Sequence, residues 1–246
     1  MSLLRQIVSG AAQPSTVLIE RIDRHNTQED TPYRPGWHPS ELSQGFCPLH
    51  LALRDLGWIR VRNRIEGRVN RIFDNGHYFH ERMQRYLREM GLVLRDEHFG
   101  DPEKDYLCEE VPLVHECGLT GRADNFVLVD GVLSVVDYKS IRQEQYNLLH
   151  KPLDKHERQV WLYLGMVDAA IPKHLADVPI QGLLVYENKN DQSLKEFVVR
   201  WGREGKDYFD QTVRTLQDIN QAIADKDPWR LECNCGDCPT REDLGR

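Results

Sequence analysis

The sequence has no long hydrophobic run, no secretion signal and no repeated or low-complexity segment. No apolar stretch approaches the roughly 18 residues that a membrane-spanning helix requires. The first residues lack the unbroken apolar core that precedes secretion. These absences predict a cytoplasmic protein that does not bind membranes.

The chain also lacks an excess of positive charge, since its formal net charge is −7. This balance argues against a surface coated with cations for bulk nucleic-acid binding, although it is compatible with a local basic groove. One basic stretch runs from Arg54 to Arg71, and Arg64, Arg68 and Arg71 have the spacing of one helical face. A basic groove and a solvated helix face are both open at this point.

A disulfide framework is not expected from the six cysteines. Cytoplasmic thiols stay reduced, and Cys233, Cys235 and Cys238 are too close in sequence to pair easily with one another. Tight cysteine spacing in such a protein favours a bound metal ion or metal cluster. Cys108 and Cys117 lie in or beside strand-like segments, and we expect both to be small buried residues.

The length of 246 residues, with 40% hydrophobic, suits one large domain or one domain with an appendage. Residues 1–40 include a segment rich in turn formers, and we expect a loosely organised lead-in there. Helical and strand-like segments are interspersed through residues 41–246. This arrangement predicts a single α/β domain with a mixed central sheet flanked by helices.

Residues 121–140 predict a β-hairpin, because two apolar, β-branched runs flank Asp130-Gly131, a dipeptide that favours a two-residue type I′ turn. Counting outward from this turn places Asp124 directly opposite Asp137. Side chains alternate between the faces of a strand, so Lys139 shares a face with Asp137. Opposed like charges are destabilising, and a divalent cation is the simplest reason to keep two carboxylates there.

Two predicted helices carry polar side chains that could reach the open end of this hairpin. The first extends over residues 64–90, with a break or kink near Asn75-Gly76, and carries His80. The second carries Gln159 and Tyr163, which lie one turn apart.

These residues and their order resemble the PD-(D/E)XK nuclease superfamily. The hairpin is similar to its core, with Asp124 followed by Asp137-Tyr138-Lys139. Within the superfamily the chain resembles the RecB-like nucleases, whose helical Gly-x-x-x-His-Glu and Gln-x-x-x-Tyr motifs have counterparts at Gly76–Glu81 and Gln159–Tyr163. With an N-terminal cysteine motif and three closing cysteines, the order is similar to that of CRISPR-associated and phage-encoded members that carry an iron–sulfur cluster. The resemblance covers residues 40–240.

The resemblance implies a restriction-endonuclease-like core that hydrolyses phosphodiester bonds with Mg²⁺ or Mn²⁺. Asp124 and Asp137 are the expected carboxylate ligands, and the resemblance adds the carbonyl of Tyr138. An imidazole ligand from His80 would make the site more favourable for Mn²⁺.

Lys139 is expected to orient the attacking water or to stabilise charge that develops on the phosphate. Gln159 and Tyr163 would either touch the nucleic acid or position Lys139, and the sequence leaves both open. Glu110 lies on the strand before the hairpin. It is either an exposed acidic residue of that strand or a member of the site, and the sequence leaves both interpretations open.

By resemblance, four cysteines would hold a [4Fe–4S] cluster: Cys47, Cys233, Cys235 and Cys238. They would clasp an N-terminal helix to the tail, so that residues 41–75 and 225–246 form one cysteine-cluster subregion. The closing spacing Cys-x-Cys-x-x-Cys departs from the family's usual Cys-x-x-Cys followed later by Cys. A structural Zn²⁺ in a four-cysteine site therefore stays open.

The leading expectation is a metal-dependent DNA nuclease, most simply an exonuclease on single-stranded DNA or DNA ends, acting in the host cytoplasm if a phage encodes it. An alternative is a cluster- or zinc-stapled DNA-binding subunit of a recombination or adaptation complex with little nuclease activity of its own. A third is a restriction-type endonuclease, against which the Gln-x-x-x-Tyr motif and the closing cysteines count. Assembly as a homo-oligomer, or with a recombination or helicase partner, is left open.

Overall fold

The structure is a computed structural model that describes residues 17–29, 35–59, 64–94, 106–240 and 242–245. Parts of the predicted lead-in, residues 1–16 and 30–34, lie outside the described residues, as do Arg60 and Arg62. The described α-helices are α1 (Val17–Asn26), α2 (Pro39–Leu42), α3 (Pro48–Asp55), α4 (Gly67–Glu89), α5 (Gln143–Leu148), α6 (Asp154–Ala170) and α7 (Arg203–Ala224). Within this part of the chain, no helix combines the length and the apolar character needed to cross a membrane.

The strands form one six-stranded sheet whose spatial order follows the sequence. They are β1 (Val93–Leu94), β2 (Tyr106–Val114), β3 (Thr120–Val129), β4 (Val132–Ile141), β5 (Ile180–Asn188) and β6 (Leu194–Arg200). Strand β4 runs parallel to β5, and β1 runs parallel to β2, whereas the other neighbours are antiparallel. A parallel pair needs a crossover connection, which α5 and α6 supply between β4 and β5. The predicted α/β class with a mixed sheet and flanking helices is confirmed.

The predicted hairpin is confirmed as β3 and β4. Both residues of its turn, Asp130-Gly131, have positive φ angles of 51° and 73°, as a type I′ turn requires. Registered pairs extend outward to Asn125 opposite Val136, so Asp124 and Asp137 occupy the next step. The turn therefore fixes which side chains meet at the open end.

Helix α6 packs so closely on the sheet that β5 carries a glycine beneath it. A Cβ atom at Gly182 would lie 2.2 Å from Cγ1 of Val160, which no real contact allows. On its other side α6 packs against α7, whose Phe209 is buried in the same core. Cys108 and Cys117 are buried in this core, as predicted. The close seating of α6 brings its polar side chains against β4.

The break predicted near Asn75-Gly76 is wrong, because α4 continues without interruption from Gly67 to Glu89. A single glycine costs a helix only about 1 kcal/mol relative to alanine, and the buried Phe79 that follows anchors the second half. The chain divides into two compact units, Met1–Tyr33 with Arg62–Asn75, and Arg34–Val61 with Gly76–Arg246. The division into a lead-in of residues 1–40 and one nuclease domain stays a prediction.

Candidate functional site

The two predicted carboxylates come together at the open end of the hairpin. Asp124 lies one residue beyond the last registered pair of β3 with β4, and Asp137 lies across from it on β4 with only 3% of its surface exposed. The backbone N–H of Tyr138 donates a hydrogen bond of 2.7 Å to Oδ2 of Asp124. This bond holds the Asp124 side chain beside the Tyr138 peptide group.

His80 reaches the same place from α4. Its Nε2 lies 3.1 Å from the carbonyl oxygen of Tyr138, and its Nδ1 lies 3.3 Å from Oδ1 of Asp124. Burial would lower the pKa of His80, but the hydrogen bond to Asp124 and the charges of Asp124 and Asp137 outweigh it and raise the pKa above 6.5. A doubly protonated imidazole can donate to both oxygens. To bind a metal ion, His80 must give up one of these protons.

Lys139 completes the predicted group. Its Nζ lies 2.7 Å from Oδ2 of Asp137, which confirms that the two side chains share a face of β4. Burial raises the pKa of Asp137 to about 6, against the lowering effect of the Lys139 charge and with the support of the Asp124 charge. The Asp137 carboxylate is therefore held near its titration point in the protein without metal.

Gln159 and Tyr163 lie behind the carboxylates on α6. Nε2 of Gln159 donates to Oδ1 of Asp137 at 3.3 Å and is 3.3 Å from the hydroxyl oxygen of Tyr163. Burial and the Asp137 charge raise the pKa of Tyr163, so its hydroxyl stays protonated. Both side chains are buried, which favours positioning over contact with a polymeric substrate. The sequence left contact with the nucleic acid and positioning of Lys139 both open, and the described contact of Gln159 within the centre is with Asp137.

His156 is a neighbour that the sequence reasoning missed. It lies one turn before Gln159 on α6, and its Nδ1 is 2.9 Å from the hydroxyl of Tyr186. Burial, together with the charges of Lys139 and Lys155, lowers the pKa of His156 to about 3. The ring is therefore neutral at physiological pH. Its spacing of three residues from Gln159 was the sequence signal for a shared helical face.

The four predicted cysteine sulfurs also meet. All four Sγ atoms lie within 4.8 Å of one another. The Sγ atom of Cys238 is 3.6 Å from that of Cys47, which directly precedes α3, and 3.5 Å from that of Cys235. Hydrogen bonds involving the Cys238 backbone and thiol lower the pKa of Cys233 to about 6. A group of four thiols with a ready thiolate can bind a metal ion.

The spacing of these sulfur atoms can be compared with the two proposed occupants. Four thiolates around one tetrahedral zinc ion, at about 2.3 Å each, place neighbouring sulfurs about 3.8 Å apart. The closest pairs here are separated by 3.5, 3.6 and 3.7 Å. A [4Fe–4S] cluster puts its own iron and sulfide ions between the thiolates and needs them farther apart. These three separations lie near the tetrahedral value, and the remaining sulfur pairs are no longer than 4.8 Å.

Three described arginines of the basic stretch make ion pairs. Arg71 contacts Asp23, and Arg64 lies 3.5 Å from Glu29. In the other compact unit, Arg54 contacts Glu41. These pairs favour an ion-paired surface over a free basic groove.

The sheet thus brings two carboxylates, an imidazole and a lysine together at the open end of the hairpin, a set of side chains that suits metal-dependent hydrolysis. The family profile of the PD-(D/E)XK nuclease superfamily matches residues 51–242. This match covers most of the chain, which therefore belongs to the PD-(D/E)XK nuclease superfamily. Membership indicates a nuclease that uses a divalent metal and acts on nucleic acid, whereas the RecB-like subtype stays a prediction.

No curated protein matches this chain significantly. Among solved structures, one titled "Crystal structure of SSO0001" is similar, with 16% sequence identity and a TM-score of 0.43. That alignment covers 83% of this chain and 84% of the other.

Proposed function

We propose that this protein is a DNA nuclease in which Mn²⁺ or Mg²⁺ binds between β3, β4 and α4. One observation carries the proposal: side chains from three separate elements meet around the Tyr138 peptide group. The donor set is two carboxylates, one carbonyl oxygen and one imidazole, from Asp124, Asp137, Tyr138 and His80. Oxygen ligands suit Mg²⁺ and Mn²⁺, and the nitrogen ligand favours Mn²⁺ or another transition metal.

The bound cation would supply a nucleophilic water at neutral pH and would neutralise charge on the phosphate. Lys139 is placed to donate from its ammonium to the attacking water or to a phosphate oxygen, since it is partly exposed beside Asp137. Gln159 holds the opposite oxygen of Asp137, so that the carboxylate keeps one orientation. Tyr163 remains a neutral phenol, and its hydroxyl oxygen accepts a hydrogen bond from the Gln159 amide.

For the substrate, we propose single-stranded DNA or DNA ends cut by exonuclease action. The support is the resemblance to RecB-like nucleases through the motifs at Gly76–Glu81 and Gln159–Tyr163. The alternative, a DNA-binding subunit with little activity, predicts that members of the catalytic centre are missing or separated. Each predicted member of the centre lies in contact with another, which favours the active enzyme.

For the four-cysteine group, we propose that it binds a structural Zn²⁺ rather than the [4Fe–4S] cluster that the family resemblance implies. The short sulfur separations and the departure from the family's cysteine spacing support zinc. Anaerobic purification followed by metal analysis tests this choice. One zinc per chain and no visible absorbance are expected, and a brown protein with four irons would overturn it.

The nuclease proposal is tested with end-labelled single-stranded DNA and with circular single-stranded DNA, each with Mn²⁺ or Mg²⁺. Degradation of the linear DNA alone supports an exonuclease, and cutting of the circle shows an endonuclease. Asp137→Asn and Lys139→Met should abolish cleavage, while Asp210→Asn, which changes an exposed acid on α7, should not. Absence of metal-dependent cleavage in the wild-type protein would reject the proposal.

A further inference from the structure

Glu110 occupies the same level of the sheet as the two carboxylates. Glu109 pairs with Asn125 and Val111 pairs with Ala123, so the register places Glu110 opposite Asp124. Glu110 and Asp124 do not form a registered pair between β2 and β3, and Asp124 also has no registered partner on β4. The sheet is therefore locally interrupted on both sides of Asp124.

The backbone of Glu110 is in the left-handed region, with φ of 48°. Among the described residues, it is the only non-glycine residue within a strand that has a positive φ. Residues with a long side chain reach this conformation only at a cost in free energy, and such outliers concentrate at functional sites. Something must offset the strain at Glu110.

The strained conformation places the Glu110 side chain against a buried amide. Oε1 of Glu110 accepts a hydrogen bond of 3.3 Å from Nε2 of Gln84, and the same nitrogen lies 3.4 Å from the carbonyl oxygen of Asp124. Gln84 is buried and follows His80 by one turn of α4. Helix α4 thus contacts Asp124 twice, through His80 at its side chain and through Gln84 at its backbone.

The two acceptors decide how the Gln84 amide is oriented. An amide presents a donor on one side and an acceptor on the other, so its nitrogen must face both oxygens. Without the Glu110 carboxylate, the Asp124 carbonyl would be the sole described acceptor for that nitrogen. Glu110 therefore has the means to fix Gln84, and through it the backbone of a metal ligand.

We propose that Glu110 is a positioning residue of the nuclease centre, which acts through Gln84 to set the geometry of Asp124. This inference rests on the proposed function, because it assumes that Asp124 binds the divalent ion. Groups that orient metal ligands typically change metal affinity by about 10- to 100-fold when removed.

The decisive variant is Glu110→Gly, because it removes the acceptor and also relieves the backbone strain. We expect Mn²⁺ to bind about tenfold more weakly. We also expect the thermal midpoint of the metal-free protein to rise by about 2–4 °C, since glycine favours this φ. A purely structural role for Glu110 would not combine higher stability with weaker metal binding.

Two variants complete the comparison. Glu110→Gln keeps an acceptor oxygen for Gln84 and should leave Mn²⁺ affinity within about twofold of wild type, far from the tenfold loss expected when positioning is removed. Lys226→Gly relieves another positive φ, of 54°, outside the sheet and should raise the thermal midpoint without changing Mn²⁺ affinity. Unchanged Mn²⁺ affinity in Glu110→Gly overturns the inference. Equal losses in Glu110→Gly and Glu110→Gln would also overturn it, because the carboxylate would then act directly.

A second measurement separates this inference from the proposed function. The side-chain amide signals of Gln84 in an NMR spectrum of the metal-free protein should shift in Glu110→Gly and return in Glu110→Gln. If the wild type binds no Mn²⁺ but these signals respond, the proposed function fails while the link from Glu110 to Gln84 stands. Signals that do not respond reject the link itself.

Discussion

The Lys139 ammonium and the Asp137 carboxylate form a contact of 2.7 Å at the end of β4, two residues apart on one face of the strand. The lysine is partly exposed, whereas the carboxylate is almost fully buried. Burial raises the pKa of Asp137 to about 6 despite this contact. A buried carboxylate whose pKa is raised, beside a cation that favours its ionised form, makes the centre sensitive to pH and to substitution.

Asp137→Asn should stabilise the metal-free protein while it destroys activity. Because the native pKa of about 6 lies above the ordinary 3.8, ionised Asp137 destabilises the fold above pH 6, and this effect fades as the pH falls toward 3.8. At pH 7.5 the variant should gain on the order of 1–3 kcal/mol in free energy of unfolding, measured with urea. Cleavage should fall at least about a hundredfold. A destabilised variant would contradict this account.

Mn²⁺ binding should weaken as the pH falls, first through protonation of His80 and then through protonation of Asp137 near pH 6. At the proposed site the ion would require the ionised form of Asp137, and a single competing proton lowers the affinity about tenfold per pH unit below the pKa. The raised pKa of His80 adds proton competition in the same direction. Titration of free Mn²⁺ by electron paramagnetic resonance from pH 5 to 8 measures this slope. An Mn²⁺ affinity that stays constant down to pH 5 would contradict this expectation.

His156 should make the native state sensitive to acid. Its native pKa of about 3 lies below the ordinary 6.5, so the unfolded chain takes up the proton first and stability is lost as the pH falls below 6.5. His156→Gln, which cannot titrate, should flatten this loss by about 1–2 kcal/mol at pH 5. Urea unfolding curves at pH 5 and 8 provide the comparison. Equal acid sensitivity in both proteins would exclude the burial of a neutral His156.

Gly121→Ala should disturb the centre from a distance. A Cβ at Gly121 would lie 2.9 Å from Cε1 of Tyr163 and 3.0 Å from Cδ of Pro39. We expect a loss of about 1–3 kcal/mol in stability from this overpacking, and a lower kcat as Gln159 loses its support. Tyr163→Phe removes the hydroxyl without the clash and serves as the matched control. Thermal midpoints and kcat of both variants decide whether the steric effect or the hydroxyl matters more.

The four-cysteine group should lose its metal when any member is removed. Cys47→Ser and Cys238→Ser are expected to release the ion and to lower the thermal midpoint, because both lie in the cluster of sulfur atoms. Cys108→Ala, which changes a buried cysteine outside the group, should keep the ion. Metal content per chain measures the outcome. Retention of the ion by Cys238→Ser would remove that residue from the ligand set.

The hairpin and its register could be predicted because the information is local. Asp130-Gly131 fixes the turn, and the alternation of side chains then determines which residues face Asp124. The convergence of His80 and Gln159 on this hairpin could not be deduced from spacing, since it depends on how α4 and α6 pack on the sheet. The family resemblance supplied that step.

Other features were missed for physical reasons. The strain at Glu110 has no sequence signature, because glutamate is not a residue that favours positive φ. Ser40 is of a residue type that often caps helices, yet it lies inside α2, which begins at Pro39 after His38 without a side-chain capping bond. The uninterrupted α4 shows that packing of one helix face overrides a single glycine.

The contact between Cys47 and Cys238 joins points that are 191 residues apart in sequence. An ion held there would close the chain into a ring that encloses the entire hairpin and both site helices that follow Cys47. A protease cut in an exposed turn of this ring, such as the one at Asn190 and Asp191, would then leave two pieces that migrate as one particle. Removal of the ion would leave only noncovalent packing between the two pieces, chiefly the pairing of β5 with β6 and the packing of α7 in the core, so a cut at this turn would make their association depend on the ion.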